Sequence, residues 1–273
     1  MFSIIIPLYN KENFIERTIN SVLNQTYKLF EIIIIDDGSN DNSLIKAQKI
    51  NDERIRIFSK KNEGVSIARN YGSLFANYDL LLFLDADDYW EPFFLENMKK
   101  LIDTYPQCGI YATAFYYRLH NSKKLNEHRL GSANSFIIED YCNEIIISKK
   151  DICWTGATCV KKQLFKQAGM FPPNIKRGED LDTWLRIVCI TQLAYSKKPY
   201  AIYNIDTENN ATHSYVSYKE SFPYWKWKNY AYHNHKSLIA YSNFYIKRLI
   251  IFALKNKAFY DACYLLKKML FHV

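Results

Sequence analysis

This sequence predicts an α/β fold built on a mostly parallel sheet, and two observations carry the prediction. Short apolar runs alternate with segments of helical periodicity over roughly the first hundred residues, an order that implies a parallel sheet with helices on both faces. The polar residues that interrupt the pattern fall where the strands end: Tyr9-Asn10, Asp36-Asp37, and Asp85-Ala86-Asp87-Asp88. In open sheets of this kind ligands bind at the carboxyl ends of the strands, so three strand ends point to one crevice.

The elements follow in order. Ser3 to Tyr9 is a β-rich run, and Glu12 to Gln25 carries Phe14, Ile15, Ile19, Val22 and Leu23 at near-helical spacing. Phe30 to Ile35 is an all-apolar second strand, and Leu44 to Ile50 a helix with Asp41 or Asn42 as its cap. Arg54 to Phe58 alternates as a third strand, Gly64 to Ala76 is helical, and Leu80 to Leu84 is a buried strand. Pro92 suits the first turn of the next helix, which runs to about residue 104, and Asp88 reads as a helix cap. Beyond it, Cys108 to Arg118 is a long strand, 119–134 is polar and loop-like, and 135–150 is amphipathic without a clear period. Trp154 to Thr158 reads as a bent strand, Gln163 to Ala168 as a short helix, and Phe171-Pro172-Pro173 as a turn. Arg177-Gly178-Glu179-Asp180 opens a helix through Trp184, Leu185 and Val188, and Leu193 to Ile205 is one strand or a pair.

Composition narrows the function classes. With 273 residues and 48% hydrophobic content, one or two packed domains are expected and global disorder is excluded. The six cysteines are scattered without a CxxC pair, which fits reduced thiols in a cytoplasmic setting better than a disulfide framework or a zinc site. The N-terminus lacks a basic leader, and no run approaches the ~20 apolar residues that span a bilayer. The net charge of +8 resides in the tail: residues 219–273 hold ten Lys/Arg and two Asp/Glu, so 1–218 sum to zero.

The strand ends carry the chemistry. Carboxylates crowded at Asp85 to Asp88 need a counter-charge, and hard oxygen ligands suit Mg²⁺ or Mn²⁺. A dinucleotide fold is excluded, because Pro7-Leu8-Tyr9-Asn10 stands where a GxGxxG turn would be needed. No GxxxxGK[ST] loop occurs either.

Six blocks in order resemble the family 2 glycosyltransferases of the GT-A fold: Pro7-Leu8-Tyr9-Asn10, Ser21 to Thr26, Asp36-Asp37-Gly38-Ser39, Ala68-Arg69-Asn70, Asp85-Ala86-Asp87-Asp88 (a DxD motif) and Gly178-Glu179-Asp180. The resemblance covers the first 110 residues closely and reaches about residue 190. It implies a Rossmann-like sheet in a catalytic domain over 1–215, with a donor half (1–110) and an acceptor half (111–215), followed by a basic helical extension over 216–273. It further implies an inverting hexosyl- or N-acetylhexosaminyltransferase that uses a nucleotide sugar, with UDP-sugar the expected donor, and acts in cell-surface polysaccharide or lipopolysaccharide synthesis. Carried over by position, Pro7 and Tyr9 would touch the base, Asp37 would accept from the uracil N–H and Asp85 would lie near the ribose. Asp87 would ligate the divalent cation, and Arg69 belongs to a donor-side block. Asp180 would be the general base, favoured over its rival Glu179 by the family pattern alone. Trp154 falls on the acceptor side, and His213 matches a late metal-binding histidine of some relatives. Two other readings remain for the same fold: a sugar-phosphate nucleotidyltransferase, which lacks a Gly-rich triphosphate loop here, and a non-catalytic glycan- or membrane-binding scaffold.

The resemblance does not extend past about residue 215. Tyr224-Trp225-Lys226-Trp227-Lys228, Lys247-Arg248 and Lys267-Lys268 combine aromatic and basic character. That combination suits an anionic membrane surface and hence a lipid-linked acceptor. Packing helices with solvated lysines would show the same pattern, and nucleic acid is the least expected partner.

Overall fold

The computed structural model describes residues 1–120, 122–126, 133–206, 216–229 and 235–271. The first half alternates as expected: β1 (Phe2–Leu8), α1 (Ile15–Leu23), β2 (Phe30–Asp36), α2 (Ser43–Gln48), β3 (Ile55–Ser59), α3 (Val65–Leu74), β4 (Leu80–Phe83), a two-residue β5 (Tyr89–Trp90) and α4 (Phe94–Thr104). The second half holds β6 (Ile110–Leu119), β7 (Ser122–Asn126), β8 (Ser135–Ile138), α5 (Tyr141–Ser148), β9 (Thr158–Lys161), α6 (Lys162–Gln167), α7 (Glu179–Val188), β10 (Leu193–Asn204), α8 (His235–Lys255) and α9 (Phe259–Phe271).

One sheet joins them in the order β3-β2-β1-β4-β9-β6-β10-β5. Strands β3, β2, β1 and β4 are parallel, β9 runs antiparallel between β4 and β6, and β10 lies parallel to β6. All seven positions of β1 and of β2 are buried, because helices cover both faces of the sheet. Ile5, Ile33, Leu81 and Phe83 pack into one core and Ile4, Ile6, Ile32 and Leu82 into the other, as the two-residue period of a strand requires. Each such fully buried aliphatic side chain stabilises the fold by about 1.5–3 kcal/mol relative to exposure.

Several local expectations are corrected. The segment read as a loop over 119–134 contains β7, which pairs antiparallel with β6. The unclear 135–150 stretch splits into β8 and α5, with the Asp140 carboxylate accepting from the Asn143 N–H at 2.9 Å. The segment 193–205 is one strand whose pairing slips between Ser196 and Ala201. Pro199 lies within that slip, where a residue without an N–H costs no ladder bond. Helix α4 starts two residues after Pro92, and Asp88 does not cap it. Asp88 is buried and accepts from the Asn204 N–H at 2.8 Å, tying the end of β4 to β10.

The tail packs on the body. Trp227 and Tyr241 are fully buried in the same core as Ile5 and Trp184, and Trp227 Nε1–H donates to Asp182 at 3.0 Å. Helix α8 is long and apolar enough to cross a membrane by length and composition, which the sequence reading did not find. Its inner face (Leu238, Tyr241, Tyr245, Ile246, Leu249) is committed to the core.

Candidate active site

The loops after β1, β2 and β4 are locked together, which brings their polar groups to one place. Asn10 adopts the left-handed conformation at φ 50°, its N–H donates to Ser39 Oγ at 3.2 Å and its side-chain oxygen accepts from the Asn40 N–H at 2.8 Å. Thr18 Oγ1 donates to the carbonyls of Ala86 and Asp88, and Arg17 to that of Asp87, so α1 fixes the backbone of the acidic loop.

The acidic side chains then separate. Asp37 is buried and receives Lys60 Nζ at 2.5 Å, the Glu63 N–H at 3.0 Å and the Gly64 N–H at 2.8 Å. A carboxylate accepts about four hydrogen bonds, so one position remains for a ligand N–H. Asp87 pairs with Lys11 Nζ at 2.6 Å. Asp88 is held well above the usual carboxylate range by burial and by the charges of Asp87 and Asp85. Among the described residues no three His, Cys, Asp or Glu side chains converge to hold a metal. Asp87 therefore fits a divalent cation only in company with a ligand's own oxygens, the arrangement Mg²⁺ adopts with phosphates. The ammonium of Lys11 already shows that this carboxylate accepts a cation.

The second acidic pair opens α7. Gly178 sits at φ 85° directly beneath the Tyr224 hydroxyl, where any Cβ would collide with the ring. Glu179 is paired with Arg69 at 3.2 Å, and Asp180 accepts from the Leu181 N–H at 2.8 Å. Burial and the neighbouring Glu179 charge push Asp180 up to about 7, against the opposing pull of Arg69. Arg69 is the hub: its side chain is 4% exposed and donates to Asp85 at 2.7 Å as well as to Glu179, with its guanidinium 5.1 Å from the centre of the Phe171 ring. Burial alone would lower the Arg69 pKa, but Asp85 and Glu179 outweigh it and raise it.

One open cavity of about 860 Å³ is lined by Pro7, Tyr9, Asp37, Arg69, Asp85, Asp87, Trp154, Glu179 and Asp180, every site residue expected from the sequence except His213. His213 lies outside the described residues. Tyr9 is exposed at the cavity and free to stack on a planar ring. Trp154 is half-buried and stacks on Tyr203 with ring centres 5.1 Å apart, continuing into Tyr117.

The cavity also has walls that sequence reasoning missed. Lys11 follows the Tyr9-Asn10 pair directly, so the strand-end rule could have included it. Tyr224, Tyr245, Arg248 and Phe252 of the tail line the cavity, and Arg177 lies over the Phe252 ring at 4.6 Å. Tyr245 donates its hydroxyl to Asp151, which is also 3.8 Å from Arg248. No signal in the sequence ties these residues to the site, since the tail is far from it along the chain.

Comparison with known proteins supplies the family. Residues 3–169 match the family model described as glycosyl transferase family 2. An uncharacterized glycosyltransferase of Rickettsia bellii is 36% identical over 188 residues, covering 68% of this chain and 26% of the relative. The chain thus spans about a quarter of that relative's length. A putative teichuronic acid biosynthesis glycosyltransferase, TuaG of Bacillus subtilis, is 29% identical over 84% of this chain and 83% of its own length. The crystal structure of S. aureus TarS 1-349 in complex with UDP-GlcNAc superposes with a TM-score of 0.68 at 21% identity, covering 90% of this chain and 66% of that one. That likeness bears on the fold, a mixed α/β architecture around a mostly parallel sheet. The family model covers well over half of the chain, and the chain belongs to glycosyltransferase family 2.

Proposed function

We propose that this glycosyltransferase is an inverting, metal-dependent enzyme that moves a sugar from a nucleoside diphosphate sugar, UDP-linked, to a hydroxyl of a saccharide or lipid-linked acceptor. One observation carries the mechanism: of the two adjacent carboxylates at the start of α7, Glu179 is paired with Arg69 while Asp180 is pushed up to about 7. A general base works best with a pKa near the operating pH, so Asp180 would take the acceptor hydroxyl proton. With Glu179 engaged, a single base acts, and single displacement inverts the anomeric carbon by in-line attack.

The donor would lie across the strand ends. Tyr9 would stack on the base, with Pro7 beside it, and the remaining acceptor position of Asp37 would receive the uracil N–H. Asp85, held by Arg69, would face the ribose. Asp87 would hold Mn²⁺ or Mg²⁺ together with the diphosphate, Lys11 yielding its place, and the bound cation would neutralise charge on the leaving group. TarS has been captured with UDP-GlcNAc and with UDP, and a Pyrobaculum calidifontis mannosyltransferase with GDP-Man and Mn²⁺, which supports this class of donor and cofactor. Trp154, Tyr203 and Tyr117 offer aromatic faces on the acceptor side.

The teichuronic acid relative, together with a chondroitin synthase of Pasteurella multocida that is 44% identical over 116 residues (12% of that protein), supports a cell-surface glycan as acceptor. The catalytic unit would be 1–215, with 216–273 completing its wall, and the enzyme would work in the cytoplasm against the inner membrane face.

The test is Asp180→Asn assayed with a panel of nucleotide sugars and Mn²⁺. Donor binding by calorimetry should persist while transfer and donor hydrolysis fall by about 10²–10⁴-fold, the contribution of a positioned base. Normal turnover by the variant would overturn the assignment.

A further inference from the structure

We propose that the hairpin of α8 and α9 is a docking surface for an anionic lipid bilayer, with α9 lying on the lipid and α8 shared between that surface and the cavity. The inference that the acceptor therefore arrives from the bilayer rests on the transferase reading above; the docking itself does not.

The pattern on α9 is the first support. Phe259, Cys263, Leu266 and Leu270 recur at spacings of four, three and four, which places them on one helix face. That face is in solvent: Phe259 is 64%, Leu266 43% and Leu270 59% exposed, and Cys263 is exposed between them. Ala262 and Leu265 are buried, and Leu265 belongs to the core that holds Trp227 and Tyr241, so the inner side of α9 is already packed. On α8, Ile251 and Leu254 are likewise exposed. A water-facing apolar stripe of this length lacks the usual polar face of a packed surface helix.

Charge selects the occupant. Residues 235–271 contain seven Lys/Arg and a single acid, Asp261. That acid is engaged with the body, accepting from Ser217 Oγ at 2.7 Å and from the Tyr218 N–H. The outer surface of the hairpin is thus cationic and apolar together, the combination that binds anionic lipid headgroups while apolar side chains enter the interface. Lysine stems can lie along the apolar surface with their ammonium groups at the phosphates.

Helix α8 links this surface to the site. Tyr245, Arg248, Leu249 and Phe252 line the cavity, while Lys247, Ile251 and Leu254 of the same helix face solvent. A bilayer against the hairpin would lie within one helix diameter, about 10–12 Å, of the acceptor side of the cavity.

The test is flotation of the full chain with vesicles of phosphatidylglycerol in phosphatidylcholine and with phosphatidylcholine alone. Wild-type protein should float with the anionic vesicles and be released by high salt. Leu266→Ser/Leu270→Ser and Lys255→Glu/Lys267→Glu should each weaken binding by about thirtyfold or more. Maleimide labelling of Cys263, located by mass spectrometry, should slow in the presence of anionic vesicles. The proposal is overturned if the wild-type chain stays with the soluble fraction, if both double variants float normally, or if Cys263 labels at an unchanged rate. It is overturned as well if light scattering shows a dimer that these variants dissolve, since a second copy would then cover the stripe. Donor hydrolysis without vesicles should be the same in all three proteins. Its absence from all of them, with flotation intact, would sink the transferase reading and leave the docking standing.

Discussion

Replacing Arg69 with Met tests the organisation of the whole site. The substitution roughly preserves length and apolar contact with Phe171 but removes the cation that Asp85 and Glu179 share. Stranding one partner of a buried ion pair costs about 3–5 kcal/mol. Asp85 is 32% exposed and regains some water, while Glu179 is 13% exposed and regains little, so the low end of that range, about 3 kcal/mol, is expected. Against the 5–15 kcal/mol of a typical domain such a loss is large. Urea unfolding at pH 8 should show it as a lowered midpoint with an unchanged slope. Because Arg69 pulls the Asp180 pKa down, its loss should also move the activity profile to higher pH. Arg69→Lys, with one charge but no planar fork to span two carboxylates, should fall between. An unchanged midpoint together with an unchanged pH profile would refute the hub role.

Three further outcomes are expected. Transfer by the wild-type enzyme should rise with pH through about 7 as Asp180 ionises, and Asp180→Asn should lack that limb. The sign for stability is opposite: the folded chain keeps a proton that the unfolded chain releases near 3.8, so Asp180 lowers stability as pH rises from there to about 7. Asp87→Ala should abolish the metal dependence of nucleotide binding in calorimetry, and an unchanged affinity with and without Mn²⁺ would remove Asp87 from the metal site. Trp227→Ala, which empties a fully buried position and removes the indole hydrogen bond to Asp182, should cost about 3–5 kcal/mol in urea unfolding, and a change near zero would show that the tail is not part of the core.

The sequence by itself determined the features that are local in the chain. Strand periods, helix periods and the polar residues at strand ends are set within windows of a few residues, so β1 through α4 and the positions of Tyr9, Asp37 and Asp87 were legible. The family blocks were legible for the same reason, each lying within one loop or helix start. Only the tertiary structure decided which charges meet. Arg69 reaches Glu179 across 110 positions, Asp88 reaches Asn204 across 116, and neither partner can be read from spacing. It was likewise the packing of Trp227 and Tyr241 into the central core that turned the tail from an extension into a wall of the cavity. The large aromatic and aliphatic side chains of that tail have one character but two fates. Trp227, Tyr241 and Tyr245 are buried, whereas Phe259, Leu266 and Leu270 face water, and burial is a property of what lies opposite in space, which composition does not record.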